Sequence, residues 1–166
     1  MEMNDLSCAQ FLAQLASKAP TPGGGGTAAL VGAAGVALGN MVGCLTTGKK
    51  KYATVEADIQ ALNARAEALR LELEALVQAD ADAFAPLAAV SRLPGAQSPP
   101  CCPGCAAVLC KAALQAASLN VFINTKLMAD RTHAAALDAR ADALLAEFVP
   151  RADEIFTAVS GKLRNK

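Results

Sequence analysis

The feature that most constrains the fold is a helical repeat of apolar residues within the segment 54–92. Its members alternate at spacings of four and three, and they are Val55, Ile59, Leu62, Ala66, Leu69, Leu73 and Leu76. This alternation keeps all of them on one face of an α-helix, and such a face packs against a partner helix along its length. We call these residues the apolar seam. The seam predicts a long helix over 54–92, kinked near Pro86.

The next position of the seam is occupied by Asp80, after which Ala83 and Leu87 resume the apolar line. An unpaired carboxylate on an apolar face costs several kcal/mol, so Asp80 needs a hydrogen-bonding partner or a pocket that admits solvent or a ligand. Asp82 lies about 160° further around the helix and is predicted to be solvated. Asp80 is therefore the strongest single candidate for a functional residue. A structural pairing at a helix interface is an equal alternative.

A proline- and glycine-rich run at 20–27 precedes an apolar segment at 28–45. The run predicts a bend followed by a helix over 27–46 with Thr27 as its N-cap. The free N–H groups and the dipole at such a helix start bind anions or carbonyl oxygens. Because the run fits neither GxGxxG nor GxxxxGK[ST], a tight turn alone is the other interpretation.

The segment 28–45 is apolar enough to raise the question of a membrane span. It is short and rich in Gly and Ala, and it carries Asn40, so we expect it to be the buried central helix of a soluble bundle. Gly35, Gly39 and Gly43 share one face, where another helix can approach closely.

Strand-like alternation is almost absent from the chain, which predicts an all-α fold in one domain, 1–166. The remaining predicted helices are 6–17, 106–147 with a break near 130–133, and a short helix that begins at Pro150 and ends near 163. In the fourth predicted helix, Asn120 and Asn124 lie one turn apart on an otherwise apolar face. Two stacked amides suit the amide edge of a heterocycle, and interhelical hydrogen bonds that fix register are the alternative.

Composition limits the partner and the compartment. The 166 residues carry 15 basic and 15 acidic side chains, one His and no Trp, so they lack the basic surface of a nucleic-acid-binding protein. A small molecule or a protein is the expected partner. The N-terminal residues do not form a secretory signal, which predicts a cytoplasmic protein with reduced cysteines.

A cluster of cysteines raises the question of a metal site. Cys101, Cys102, Cys105 and Cys110 place four thiols within ten residues. Zinc sites normally pair two separated knuckles, whereas here one pair is adjacent in sequence and the last cysteine falls inside a predicted helix. We therefore expect no metal.

Several separated motifs occur in order along the chain. They are Pro-Thr-Pro-Gly-Gly-Gly at 20–25, Gly-Lys-Lys-Lys-Tyr at 48–52, Asp-Ala-Asp-Ala-Phe at 80–84, the segment 111–126 and the pair Asp130-Arg131. Together they resemble the cyclodeaminase/cyclohydrolase family, helical domains that act on tetrahydrofolate derivatives, over about 5–93 and 104–165.

The resemblance implies an all-α fold that dimerises through its helices and binds no metal. It also implies one of two reactions: elimination of ammonia from 5-formimidoyltetrahydrofolate, or hydrolysis of the methenyl bridge to 10-formyltetrahydrofolate. Both need a group that transfers a proton, a role that falls to Asp80. The substrate-binding residues implied are Thr21, Pro22, Gly23, Gly24, Gly25, Thr27, Lys49, Lys50, Asn120 and Asn124. The lysines would meet the glutamate tail of the folate, or would simply be a solvated helix end.

One interval departs from the family pattern. The chain is shortened between about 94 and 103, and Cys102-Pro103 stands where the family has Ser-Asp. Loss of that segment opens the expected pocket. The alternative function is therefore a non-catalytic helical dimer that keeps the fold and binds folate or a protein partner.

Overall fold

The computed structural model describes residues 2–90 and 102–164. Within these residues the chain forms α-helices, short 3-10 helices and no strand, so the predicted all-α fold is confirmed. The α-helices are α1 (Cys8–Leu15), α2 (Gly24–Thr46), α3 (Glu56–Val90), α4 (Cys102–Leu127) and α5 (Arg131–Arg164), and the 3-10 helices are Met3–Asp5 and Lys50–Val55. The chain divides into two compact units, residues 1–98 and 99–166.

The first unit is built on an antiparallel pair formed by α2 and α3. Three contacts along the pair establish its direction, and they are Gly25 with Asp80, Gly32 with Leu73, and Gly43 with Asn63. Each contact sets an α2 glycine against an α3 side chain, since a residue without a Cβ leaves room for its neighbour. Val77 and Ala81 of α3 are buried. Between the two helices the chain turns at Gly48, whose φ of 75° favours glycine.

The second unit is the antiparallel pair of α4 and α5, packed through small residues. Ala107, Ala134, Ala141 and Ala152 form its buried apolar positions. A Cβ on Gly104 would lie only 3.1 Å from a methyl carbon of Val159, so the two backbones are close at that end. Lys111 of α4 pairs with Asp153 of α5 at 2.6 Å.

The turn between α4 and α5 is held by polar groups. Asp130 caps α5, because its side chain accepts a hydrogen bond from the His133 N–H at 2.9 Å. Arg131 donates to the carbonyl oxygen of Thr125 at 2.8 Å, which satisfies the end of α4. The Thr125 hydroxyl is buried and lies 2.6 Å from Asp138. The predicted break in the fourth helix is thus confirmed, between Leu127 and Arg131.

Three predicted helix starts are wrong, one of them that of α4, which begins at Cys102 and not near 106. Helix α2 begins at Gly24 rather than Thr27, with Gly23 as its N-cap. Three of the glycines are therefore helical, because the side chain of Asp80 hydrogen-bonds the first turn. The predicted short helix beginning at Pro150 is the continuation of α5. Packing on both sides of the proline, through Ala141 and Ala152, keeps the helix continuous.

Large parts of α2 and α4 remain exposed. In α2 the buried residues are Gly26 and Ala33, so within one chain the expectation of a buried central helix is not met. Gly24–Thr46 and Pro103–Leu127 are both long and apolar enough to cross a membrane, and 11% of the tested window is buried in each.

Candidate active site

The side chain of Asp80 binds the start of helix α2. The N–H of Gly26 donates to Oδ2 of Asp80 at 2.8 Å. The first hydrogen bond within the helix runs from the Thr27 N–H to the Gly23 carbonyl oxygen, so the N–H groups of residues 24–26 lie outside the helical ladder. A carboxylate in this position satisfies one of these donors and interacts favourably with the positive end of the helix dipole.

Gly25 determines how closely the carboxylate approaches. A Cβ on Gly25 would lie 2.7 Å from Cγ of Asp80 and still closer to Oδ1. Real Cβ atoms do not make such contacts, so any side chain at this position would displace the carboxylate. At Gly26 the same construction gives 3.4 Å to Oδ2 of Asp80, a much milder contact.

Asp80 borders a shallow depression of about 540 Å³ on the first unit. Its other lining residues are Gly25, Ala28, Ala29, Leu73, Leu76 and Ala79. Oδ2 is held by the backbone of α2, whereas Oδ1 lies at the Gly25 side of the depression. The site therefore combines an oriented carboxylate with an apolar surface, an arrangement able to move a proton on a flat, largely apolar ligand.

The N-terminal residues hydrogen-bond to α3 and to the proline- and glycine-rich run near this site. The Met3 N–H donates to Oε1 of Gln78 at 2.6 Å, and Gln78 in turn donates to Oδ1 of Asp82 at 2.7 Å. Asp82 is exposed, as predicted. Gln14 of α1 donates to the carbonyl oxygen of Thr21 at 2.9 Å, which ties α1 to the proline- and glycine-rich run.

The structure places part of the predicted binding set beside Asp80. Gly24 and Gly25 lie in the first turn of α2, directly after the N-cap Gly23. Pro22 is buried, and Thr21 is half-buried beneath Gln14. The Thr27 hydroxyl donates to the Gly23 carbonyl oxygen at 2.7 Å, so it fastens the helix start and does not cap it.

The predicted lysines lie at the opposite end of α2. Helix α2 has 23 residues, which at a rise of 1.5 Å per residue separates its two ends by about 34 Å. Lys49 and Lys50 follow its C-terminal end and are exposed. Within one chain they do not share a site with Asp80.

The two predicted asparagines belong to the second unit. Both are exposed on α4. Asn120 donates to the Ala116 carbonyl oxygen at 3.0 Å, and Asn124 donates to the Asn120 carbonyl oxygen at 2.7 Å. Each amide is thus hydrogen-bonded within its own helix, and its other donor and acceptor groups are exposed.

Sequence reasoning missed a second polar contact between α2 and α3. A Cβ on Gly43 would lie 2.9 Å from Cγ of Asn63 and closer to its Oδ1, and Asn63 also donates to the Thr47 hydroxyl at 3.4 Å. The available signal was Gly43 on the small-residue face of α2. No pattern in the sequence pairs that glycine with a residue twenty positions later.

The cysteine cluster falls only partly in the described residues. Cys105 is half-buried in α4 and Cys110 is exposed, whereas Cys101 and most of the interval 94–103 lie outside the description. Among the described side chains no group of three or more His, Cys, Asp or Glu residues is placed to hold a metal ion.

The fold and site define an all-α protein in which a carboxylate packs against a glycine at the start of a helix. The sequence profile of the family described as Formiminotransferase-cyclodeaminase matches residues 7–99 and 103–143. The chain belongs to this family.

Two relatives illustrate the match. The chain is similar to a protein named methenyltetrahydrofolate cyclohydrolase from Methylorubrum extorquens, at 33% identity over 198 aligned positions that cover 92% of this chain and 95% of the relative. It is also similar to formimidoyltransferase-cyclodeaminase from Rattus norvegicus, at 36% identity over 90 residues, 54% of this chain and 17% of the relative. The alignment with the first relative is longer than this chain's 166 residues, so it contains gaps on this side, as the shortened interval predicts.

Proposed function

We propose that this protein acts on a tetrahydrofolate derivative in one-carbon metabolism, with hydrolysis of the 5,10-methenyl bridge as its reaction. The observation that carries the proposal is Asp80, whose Oδ2 accepts the Gly26 N–H at 2.8 Å beside an apolar depression. The relative matched over nearly its whole length is named a cyclohydrolase, which favours hydrolysis over ammonia elimination. Cyclodeamination is the second candidate, because the other relatives carry that name over about half of this chain.

The proposed chemistry follows from the charge of the substrate. The methenyl bridge is an N–C–N cation, so its carbon already accepts a nucleophile. Asp80, which is held at the start of α2, takes a proton from the attacking water as the C–O bond forms. The proton then passes to N5 as the C–N5 bond breaks, while the hydroxyl group on the carbon releases its proton to solvent and becomes the carbonyl of the formyl group that stays on N10.

The same carboxylate fits the second candidate reaction. There N10 attacks the carbon of the protonated formimidoyl group, whose nitrogen carries two hydrogens, and N10 loses its own proton to Asp80. The proton returns to the departing nitrogen, which leaves as ammonia while the methenyl bridge closes. Both reactions pass through a tetrahedral carbon, and both use one group as base and then as acid. Neither proton transfer requires a metal, so we propose that the protein works without one.

We also propose that the protein is a cytoplasmic homodimer. The exposed apolar surface of α2 and of the seam supports association with a second copy. The outer seam side chains Val55, Leu62, Leu69 and Leu76 are between 41% and 61% exposed. Light scattering at micromolar concentration tests the dimer, and elemental analysis of the purified protein tests the absence of bound metal.

The deciding experiment compares Asp80 with Asp82, a second carboxylate two residues further along α3. Asp80→Asn keeps the volume of the side chain and its hydrogen bond from Gly26 but removes the base. We expect turnover of 5,10-methenyltetrahydrofolate to fall by roughly a hundredfold or more, with the helical circular-dichroism signal unchanged. Asp82→Asn is the matched control, because Asp82 is exposed and contacts Gln78 instead of α2.

The outcomes separate the candidates. Loss of methenyl hydrolysis in Asp80→Asn supports the cyclohydrolase, and loss of ammonia release from 5-formimidoyltetrahydrofolate supports the cyclodeaminase. Equal turnover by the wild type and both variants removes Asp80 from the chemistry. If the wild type binds tetrahydrofolate without converting either substrate, the non-catalytic alternative is correct.

A further inference from the structure

The N-terminal residues attach to α3 directly before Asp80. The Met3 N–H donates to Oε1 of Gln78 at 2.6 Å, and the side chain of Asn4 donates to the carbonyl oxygen of Glu74 at 3.1 Å. Gln78 and Glu74 lie two and six residues before Asp80. They are one helical turn apart, so both contacts fall on one face of α3. The segment that follows is therefore anchored to the part of α3 that carries Asp80.

The amide of Gln78 has both of its polar atoms engaged. While Oε1 accepts from Met3, Nε2 donates to Oδ1 of Asp82 at 2.7 Å. An amide bonded at both ends has one orientation, because exchanging its oxygen and nitrogen would break both contacts. Gln78 is also half-buried, so this anchor is more defined than an exposed pair on the surface.

At its other end the same segment binds the loop that precedes α2. Nε2 of Gln14 donates to the carbonyl oxygen of Thr21 at 2.9 Å. The carbonyl oxygen of Gly23 accepts from the Thr27 hydroxyl at 2.7 Å, and Pro22 between the two is buried. The loop is thus held on both sides of the proline, and α2 begins directly after it.

The part of the chain between these two anchors is internally ordered. At the start of α1 the Ser7 N–H donates to Oε1 of Gln10 at 2.9 Å, and the Gln10 N–H donates to the Ser7 hydroxyl at 3.3 Å, which is a capping box. Phe11 is 4% exposed. Gln14 lies three residues after it, on the same face of α1. Since a buried aromatic ring fixes this face, the Gln14 amide has a defined place from which it reaches Thr21.

Residues 3–14, which we call the N-terminal clamp, therefore join α3 to the loop before α2. These are the two elements that meet where the Gly26 N–H donates to Oδ2 of Asp80 at 2.8 Å. The fit there has little tolerance, because a Cβ on Gly25 would already lie 2.7 Å from Cγ of Asp80. Glycines offer no side chain of their own to keep the two helices in place. The clamp supplies a connection from outside that the glycines lack.

We propose that the N-terminal clamp sets the separation of Asp80 from the start of α2, with Gln14 and Gln78 as positioning residues for the reaction. The inference rests on the proposed function, in which Asp80 transfers the proton. Neither glutamine is among the described residues that line the depression beside Asp80, so both act through the position of the carboxylate and not on the substrate. A displacement of about an ångström at a catalytic group costs up to roughly a hundredfold in rate. The loss of one anchor therefore has a measurable effect.

Amide exchange tests the clamp without any substrate. Gln14→Met keeps the length and the helix propensity of the side chain but removes the donor to Thr21. We expect the Gly26 amide to exchange with deuterium roughly threefold to tenfold faster in this variant, because one supporting hydrogen bond is lost. The Thr47 amide, bonded to the Gly43 carbonyl oxygen at the other end of α2, should keep its wild-type rate.

Gln60→Met is the matched control. Gln60 is exposed and donates to Glu56 at 3.2 Å within α3. It lies twenty residues before Asp80, so the same substitution removes an amide hydrogen bond far from the site. The Gly26 amide should exchange in this variant as it does in the wild type. An unchanged Gly26 rate in Gln14→Met, or an equal acceleration of Gly26 and Thr47, would overturn the clamp.

Turnover then tests whether the clamp serves the reaction. Gln14→Met should lower kcat per folded molecule for hydrolysis of 5,10-methenyltetrahydrofolate by roughly threefold to tenfold with KM little changed, since the substrate surface is intact. In an Asp80→Asn background the same substitution should have no further effect, because Gln14 acts through the carboxylate. A role in stability alone would lower the amount of folded protein equally in both backgrounds. Losses of kcat that multiply would contradict the positioning role.

The anchor on α3 provides an independent variant if Gln14→Met does not fold. Gln78→Met removes the contacts with Met3 and Asp82 together, whereas Asp82→Asn keeps an oxygen to which Gln78 donates. Gln78→Met should reproduce the faster exchange of the Gly26 amide and the loss of kcat, and Asp82→Asn should show neither. Equal behaviour of the two variants would remove Gln78 from the clamp.

The outcomes separate this inference from the proposed function. If the wild type converts neither substrate, the proposed reaction fails and the positioning role fails with it, while exchange of the Gly26 amide still decides whether the clamp exists. If Asp80→Asn is as active as the wild type, catalysis by Asp80 fails and the exchange result again stands. Faster Gly26 exchange without any loss of kcat would keep the clamp and overturn its part in the reaction.

Discussion

The two helical pairs of this molecule use polar side chains in opposite ways. In the α2 and α3 pair, Asp80 and Asn63 reach from one helix to glycines of the other. In the α4 and α5 pair, Asn120 and Asn124 hydrogen-bond their own helix and stay exposed. Of the two buried polar residues there, Ser118 also hydrogen-bonds its own helix, and Thr125 serves the turn between the helices.

The difference teaches which polar residue on a helical face carries chemistry. Asp80 has one oxygen held by a backbone donor and lies at a depression, so the fold orients it and leaves it accessible. The asparagines satisfy the same sequence criterion, a polar residue on an apolar face, but the described contacts bind them only to their own backbone. A polar residue becomes a strong site candidate when a second element fixes its position.

The largest effect is predicted for a substitution in α2 that disrupts the contact between Gly25 and Asp80. Gly25→Ala should lower turnover by roughly a hundredfold, because the new Cβ displaces the carboxylate by about an ångström or more. Gly26→Ala should have a smaller effect, given its 3.4 Å contacts. Gly161→Ala, with nothing within 4 Å, is the control. Steady-state kinetics on the three variants measures the gradient, and equal effects at Gly25 and Gly161 would contradict the contact.

The second prediction concerns the other end of α2, where Gly43 lies against Asn63 as Gly25 lies against Asp80. Gly43→Ala should destabilise the protein by about 1–3 kcal/mol, because the new Cβ collides with Asn63. Turnover per folded molecule should stay unchanged. Adding Asn63→Ala should recover part of the loss, which urea denaturation of the four proteins in a double-mutant cycle would detect. Strictly additive losses would mean that the two residues do not touch.

The third prediction concerns the second unit. Thr125→Val should cost about 1–3 kcal/mol, since it removes a buried hydroxyl and deprives Asp138 of a donor. Asn124→Ala should change stability by no more than about 0.5 kcal/mol, because that amide is exposed. Thermal unfolding compares the two variants. The reverse ranking would show that Asn124 is buried against a surface that the single chain lacks.

The smallest effect is expected at the ion pair between α4 and α5. Lys111→Ala should cost about 0.2–1 kcal/mol, because the Lys111 and Asp153 side chains are 26% and 57% exposed. The difference from wild type should shrink in high salt, since screening weakens exposed pairs. Unfolding at low and high ionic strength measures it. A salt-independent cost would point to lost packing of the lysine stem instead of lost charge.

The sequence was sufficient for the fold class and for the position of Asp80 on the side of α3 that faces α2, because both rest on local periodicity. The spacing of the seam predicted α3, and the one carboxylate that interrupts the seam gave the candidate site, whose role remains a prediction. The start of α2 was misplaced because glycines are poor helix formers by themselves. The contact of Gly26 with Asp80, fifty-four residues later in sequence, stabilises this first turn, and local propensity does not reveal such a contact.

The other site predictions depend on distance along a helix or on what covers a helix face, and they stay predictions. Lys49 and Lys50 carry the right charge, but the length of α2 separates them from Asp80 within one chain. Asn120 and Asn124 lie on an apolar face that remains uncovered in the described chain. Periodicity shows which residues share a face, and it does not show what covers that face.

The central claim is that Gly25 serves the reaction through Asp80. The most direct test measures kcat of the methenyl hydrolysis for the wild type, Gly25→Ala, Asp80→Asn and the double variant. Because the base is already absent in Asp80→Asn, we predict that the double variant is no slower than Asp80→Asn alone. Losses that multiply in the double variant would contradict the account, since Gly25 would then contribute to the reaction independently of Asp80.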